Sequence, residues 1–316
     1  MSDLYLPLCD DALRYLDTHP LGEPDWQAPM SEARSNSRSV LIAGGGRVED
    51  VASIESVNAN AVPARLYRPA GGERTVLVWF HGGAWMFGDL DSYEAVVTAL
   101  ANATRCAVLS VDYRLAPENP YPAAFEDAWS ATTWALQNFD RVAVGGDSSG
   151  GNLAAAVSLK ARDEGEHLAM QFLVYPVLDC RPDSPSYLKY RETYRDFAGC
   201  VGFGAQVQES NRHIWNTYIP DVERRSEPYA SPLRASSFES VAPALLINAE
   251  HDILRDEGEE YACRLRASGV PVESYTYLGQ LHGFFNLLGV MQDSRDTVQR
   301  AAGYLNHYFS QKEVEG

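Results

Sequence analysis

Four short stretches carry residue types that can do acyl-transfer chemistry together. The first is Gly146-Asp147-Ser148-Ser149-Gly150. It lies between a β-rich apolar run, Val142 to Val144, and a helical run, Asn152 to Leu159. A serine on a sharp strand-to-helix turn has its hydroxyl exposed on a strained backbone. Glycines on either side keep the turn free of clashing side chains. The helix that follows aims its N-terminal N–H groups and its positive end at the serine. A dinucleotide fingerprint fits worse: a Gly-x-Gly-x-x-Gly starting at Gly145 or Gly146 needs glycine at Asp147 or Ser148.

A serine hydroxyl is a poor nucleophile until a base takes its proton. Of the seven histidines, His282 is the best candidate. It follows the strand-like run Val272 to Leu278, and open α/β sheets bind ligands at the carboxyl ends of their strands. His251 also follows a strand but abuts Asp252, and adjacent loop residues seldom face one another. His19, His167 and His307 read as solvated, and His213 falls in an insertion. Asp252, just after the run Ala244 to Ala249, is the candidate acid that orients the base. Asp252, Asp256, Glu257, Glu259 and Glu260 can also be read as a metal cluster. The last four read better as first-turn acids favoured by a helix dipole, so no metal is expected. Asp147, next to the nucleophile, is poorly placed as the acid and is left as a local orienting group.

The developing oxyanion needs hydrogen-bond donors. His81-Gly82-Gly83-Ala84-Trp85 directly follows the apolar run Thr75 to Phe80. Glycines there let backbone approach a substrate oxygen, so Gly82, Gly83 and Ser149 are the expected N–H donors. His81 supports the loop and is not the base.

These groups need a sheet to hold them. Val51 to Val57 and Val62 to Tyr67 read as an edge hairpin turning at Asn58–Asn60. From Thr75 onward apolar runs alternate with helical periods: Asp91 to Thr104, Cys106 to Val111, Pro122 to Phe139, Gln171 to Tyr175. Val272 to Leu278 and Asp296 to Phe309 close the series. Continuous apolar runs imply strands buried on both faces of a mostly parallel sheet. Asp10 to Thr18 reads as a short helix with Leu13 and Leu16 on one face, and Gly22 to Gly46 as a loop or mobile cover. Asp256 opens a helix with a D-x-x-E capping pattern. Residues 181–235, rich in aromatics, read as a cap insertion. Residues 1–50 contribute to the cap, and 51–180 with 236–316 form the core.

The 316-residue chain carries a net charge of −17. That argues against nucleic acid or an anionic membrane as partner. No apolar run approaches a membrane span. Five scattered cysteines without C-x-x-C argue against a disulfide framework or structural zinc; each reads as a buried small residue, and the compartment as reducing and cytoplasmic. Met1 to Asp11, with three aspartates and no basic residue, does not read as a signal peptide.

The order Ser148, Asp252, His282 is that of α/β hydrolases. From about Ala64 to the end the chain resembles their hormone-sensitive-lipase family of esterases. The resemblance rests on six stretches in order: His81 to Trp85, Tyr113 to Glu118, Gly146 to Gly151, Tyr175-Pro176 with Asp179, Asp252 to Gly258, and His282 to Phe284. It implies an α/β-hydrolase fold: a mostly parallel eight-stranded sheet with helices on both faces plus a helical cap. It implies a serine carboxylesterase acting on small, short-chain esters without a cofactor. Trp85, Phe203 and Phe284 are expected to line the substrate pocket, and a homodimer is left open. Ala84 stands where the family usually has a third glycine, a variant associated with tolerance of bulky alcohol groups. Ser149 replaces the usual alanine and Ile253 the usual proline, both with little expected effect. Two rivals are an amidase or arylformamidase of the same fold and a non-catalytic small-molecule receptor. Receptor relatives lose triad residues, which this chain keeps.

Overall fold

The computed structural model describes residues 7–19, 28–71, 74–190 and 207–310. Eight strands form one sheet in the order β1-β2-β4-β3-β5-β6-β7-β8. They are β1 Ser53–Ala59, β2 Val62–Arg68, β3 Thr75–Phe80, β4 Ala107–Val111, β5 Arg141–Asp147, β6 Gln171–Val174, β7 Ala244–His251 and β8 Val272–Leu281. Strand β2 is antiparallel to both β1 and β4, and every pair from β4 to β8 is parallel. The edge hairpin turns at Asn60 and Ala61, both with positive φ (53° and 71°). A two-residue turn of that hand matches strand twist.

The apolar runs explain the layering. Side chains alternate across a strand, so a run without polar residues feeds two cores. In β3, Val76, Val78 and Phe80 face one core, which the helices α4 (Ala123–Asn138), α5 (Ser149–Glu164) and α8 (Arg255–Ala267) cover. Leu77 and Trp79 face the other, beneath α3 (Glu94–Thr104), α9 (Gln292–Ser310) and α1 (Asp10–Thr18). Between β6 and β7 the chain leaves the sheet and carries α6 (Pro185–Tyr190) and α7 (Val207–Tyr218). Among the described residues no helix is long and apolar enough to cross a membrane.

Four local expectations are corrected. Residues 30–45, read as loop, form helix α2 (Met30–Gly45). Tertiary contacts hold it where composition alone is ambiguous. Arg34 donates to the carbonyls of Met86 and Ala116 (both 2.9 Å) and grips both carboxylate oxygens of Glu118. In α1 the buried residues are Ala12 and Tyr15 while Leu13 is exposed, because the backbone pairing of Cys9 N–H with the Gly279 carbonyl (3.0 Å) sets which face meets β8. The D-x-x-E cap is absent: α8 begins at Arg255, and Asp256 instead accepts the Ser186 N–H at 2.7 Å, which anchors α6. Of the cysteines in described residues only Cys106 is fully buried; Cys9 and Cys180 are half-buried and Cys263 is exposed on α8.

Candidate active site

Strand β5 runs straight into helix α5, and Ser148 is the single residue between them. Its φ of 53° and ψ of −117° lie where L-residues rarely sit. The flanking glycines permit this. A Cβ on Gly146 would lie 2.4 Å from the Gly150 backbone, and one on Gly150 would lie 2.0 Å from the Phe80 carbonyl oxygen. The turn is pinned by Ser148 N–H donating to the Val174 carbonyl at 2.9 Å.

Three strands farther along the sheet, β8 delivers His282 directly at its end and β7 delivers Asp252. His282 Nε2 lies 2.9 Å from Ser148 Oγ, and His282 Nδ1 lies 2.7 Å from Asp252 Oδ2. With the proton on Nδ1, that nitrogen donates to the carboxylate and Nε2 accepts from the serine. Asp252 is fully buried, and its other oxygen accepts the Leu254 N–H at 2.9 Å. The carboxylate thus holds the ring in one orientation. His251 turns away: its Nε2 is 3.8 Å from Glu250 and its ring meets Tyr190.

The loop after β3 corrects one donor. The Gly82 N–H donates to Asp147 Oδ1 at 2.9 Å, so it is spent on the wall of the nucleophile turn. Gly83, Ala84 and Ser149 have N–H groups with no acceptor among the described residues, and Gly83 and Ala84 line the cavity beside Ser148. The expected Gly82 donor is therefore already paired, and Ala84 offers an unpaired N–H in its place. His81 packs against the loop. Its Nδ1 is 2.8 Å from the Gly82 carbonyl, its ring stacks on Tyr113 at 4.3 Å, and its own carbonyl accepts the Tyr113 hydroxyl at 2.6 Å. Burial pushes its pKa down to about 4, which keeps the ring neutral. Ser149 does more than supply an N–H: its Oγ accepts the Trp85 N–H at 3.2 Å.

The cavity collects side chains from the carboxyl ends of β3, β5, β6, β7 and β8. Trp85 lines it, stacked on Tyr218 at 4.0 Å and tilted against Trp215 at 5.5 Å. Phe284 does not line it. The residue is fully buried in the core behind His282, against Tyr175 and Tyr277. The positive φ of Gly283 (87°) swings the chain inward there. Phe203 lies outside the described residues. Sequence reasoning missed Tyr93, Asn286 and Glu257 in the cavity wall. Glu257, expected as a first-turn acid favoured by the helix dipole, is buried, accepts the N–H groups of Leu178 and Asp179 (2.7 and 2.9 Å), and burial pushes its pKa up to about 8. Nothing local distinguishes it from Glu259, since only packing decides which face of α8 meets the β6 loop.

Comparison with known proteins agrees with the fold. A family model described as alpha/beta hydrolase fold matches residues 77–286. The carboxylic ester hydrolase LipN of Mycobacterium tuberculosis is 43% identical over 72% of this chain, and the match spans 62% of that relative's length. An arylesterase of Saccharolobus solfataricus is 37% identical over 78% of this chain and 80% of its own. The solved esterase of the hyperthermophile Pyrobaculum calidifontis superposes with a TM-score of 0.85 at 32% identity, covering 97% of this chain and 100% of that one.

Proposed function

The chain belongs to the α/β-hydrolase family of carboxylic ester hydrolases, and from that premise we propose that it hydrolyses small, short-chain acyl esters through an acyl-enzyme on Ser148. The observation that carries the reading is the hydrogen-bonded series Ser148–His282–Asp252, opening on a cavity beside unpaired backbone N–H groups.

His282 Nε2 takes the Ser148 proton as Oγ attacks the ester carbonyl. The N–H groups of Gly83, Ala84 and Ser149 receive the negative charge on the carbonyl oxygen. Each is worth about 3 kcal/mol if it is made only in the transition state. Asp252 holds the Nδ1–H tautomer and stabilises the imidazolium. His282 then protonates the departing alcohol, and water attacks the acyl-enzyme by the reverse of these proton transfers. Helices α6 and α7, carried between β6 and β7, act as a cap. Trp215, brought by α7 against Trp85, closes one end of the cavity and supports a short acyl chain.

The test is hydrolysis of p-nitrophenyl esters from acetate to decanoate by the wild type and Ser148→Ala in parallel. Turnover greatest at short chains, lost by about 10⁴-fold or more in the variant, is expected. Turnover that survives in the variant removes Ser148 as nucleophile.

A further inference from the structure

Asp147 is the last residue of β5, one position before the nucleophile, and it is buried to within 1% of complete. Three donors converge on it. Its Oδ1 accepts the Gly82 N–H at 2.9 Å. Its Oδ2 accepts the Tyr93 hydroxyl at 3.1 Å and the Asn286 Nδ2 at 2.9 Å. Asn286 also donates to the Tyr93 oxygen at 3.2 Å.

Each donor comes from a different part of the site. Gly82 opens the loop after β3 that carries Gly83 and Ala84. Tyr93 caps the start of α3. Asn286 lies four residues beyond His282, in a 3-10 turn. The contact at Gly82 is close-packed: a Cβ there would stand 2.5 Å from Asp147 Oδ2.

We propose that Asp147 is the positioning residue that fixes the oxyanion-hole loop and the His282 loop to the nucleophile turn. The proposal rests on the serine-esterase reading. Gly82 bound to Oδ1 leaves the next two N–H groups, of Gly83 and Ala84, as the first that reach a substrate oxygen. Asn286 bound to Oδ2 ties the same carboxylate to the chain that bears the base.

The chemistry requires a carboxylate. Both oxygens must accept, because a donor points at each. An amide at this position offers one acceptor and would set an N–H against Gly82 or against Asn286. The chain meets a cost for this group. Among the described residues no Arg or Lys bonds it, the three partners named are neutral, and burial pushes its pKa up to about 6. A buried carboxyl without a cation is a poor way to stabilise a fold. Its gain lies in geometry, where a displacement near 1 Å costs about 100-fold in rate.

The experiment uses the full chain with p-nitrophenyl butyrate, and a trifluoromethyl ketone that adds to the serine to form a tetrahedral oxyanion. Loss of turnover in Ser148→Ala secures the esterase reading first; equal turnover there overturns that reading and this proposal with it. In Asp147→Asn, kcat is expected to fall about 100-fold with KM within about threefold, and the inhibition constant of the ketone to rise in step with the fall in kcat/KM. The double variant Asp147→Asn/Asn286→Asp restores a donor–acceptor match, since the new amide donates to the new carboxylate. It is expected to recover about tenfold in kcat. If Asp147→Asn keeps kcat within about threefold, or binds the ketone like the wild type, or if the exchange recovers nothing, the proposal fails while the esterase reading stands. Should Asp147→Asn not fold, Tyr93→Phe removes one donor at nearly constant volume. A kcat loss of about fivefold at unchanged KM supports the proposal, and an unchanged kcat overturns it.

Discussion

The backbone N–H of Trp85 donates to the side-chain oxygen of Ser149 at 3.2 Å, joining the loop after β3 to the first residue of α5. Trp85 and Ala84 both have left-handed backbone (φ 58° and 53°), a conformation that needs a reason to persist. The Ser149 hydroxyl supplies one.

Ser149→Ala leaves the Trp85 N–H buried without an acceptor. A lost buried partner costs about 1–3 kcal/mol. Part of that loss is expected in stability and part as a fall of about tenfold in kcat, because the loop bearing Gly83 and Ala84 loosens. Thermal unfolding and steady-state kinetics measure the two parts. If neither changes, the hydroxyl is an idle replacement for a methyl group.

Gly82→Ala places a Cβ 2.5 Å from Asp147 Oδ2 and 2.9 Å from its carbonyl oxygen. The loop must then lift from the nucleophile turn. A fall in kcat of about 100-fold or more is expected. Ala84→Gly is the companion variant: it relieves a φ of 53° and keeps the backbone N–H, so kcat/KM should stay within about threefold. Equal losses in the two variants would mean that the contact with Asp147 is not what limits the loop.

Trp215 packs against Trp85, with ring centroids 5.5 Å apart, and lines the cavity. Replacing it by alanine lengthens the cavity at that end. The ratio of kcat/KM for p-nitrophenyl octanoate to that for butyrate should rise about tenfold, as about two of the four added methylenes find apolar surface worth about 0.8 kcal/mol each. A ratio equal to that of the wild type would place the acyl chain elsewhere in the cavity.

Glu257 makes stability depend on pH. Its folded pKa is raised to about 8 from an ordinary 4.5, chiefly because burial penalises the charged form. Between those values the folded chain keeps a proton that the unfolded chain releases. The contribution is therefore complete below about pH 4.5 and is lost as pH rises toward 8. Glu257→Gln keeps an oxygen for the Leu178 and Asp179 N–H groups and removes the ionisation. Denaturant midpoints from about pH 5 to about pH 8 should fall less steeply in the variant than in the wild type. Parallel curves would show that Glu257 is charged in the folded protein throughout.

Much of the site was legible in the chain itself, because its requirements are local. The nucleophile turn needs Gly146 and Gly150 for backbone clearance, and those residues sit within two positions of Ser148. Strands buried on both faces need unbroken apolar runs, so Thr75 to Phe80 was read with its observed bounds. The order of strands and helices then placed Asp252 and His282 at carboxyl ends of strands, where a parallel sheet gathers its ligands.

What the chain alone did not determine is where each side chain and N–H is spent. Helix α2 was invisible because its hold comes from Arg34 reaching Met86, Ala116 and Glu118, partners up to 84 positions away. Gly82 and Gly83 are equivalent in a sequence. Only the approach of Asp147, 65 residues distant in the chain, binds the first N–H and leaves the second without an acceptor among the described residues. Phe284 and Glu257 went the same way: local pattern gave each a side-chain type and an element, while packing chose the face. Residue types and short spacings determine which chemistry is available. The pairing of distant groups decides which atoms perform it, because a buried donor or acceptor must find its partner wherever the fold has brought one.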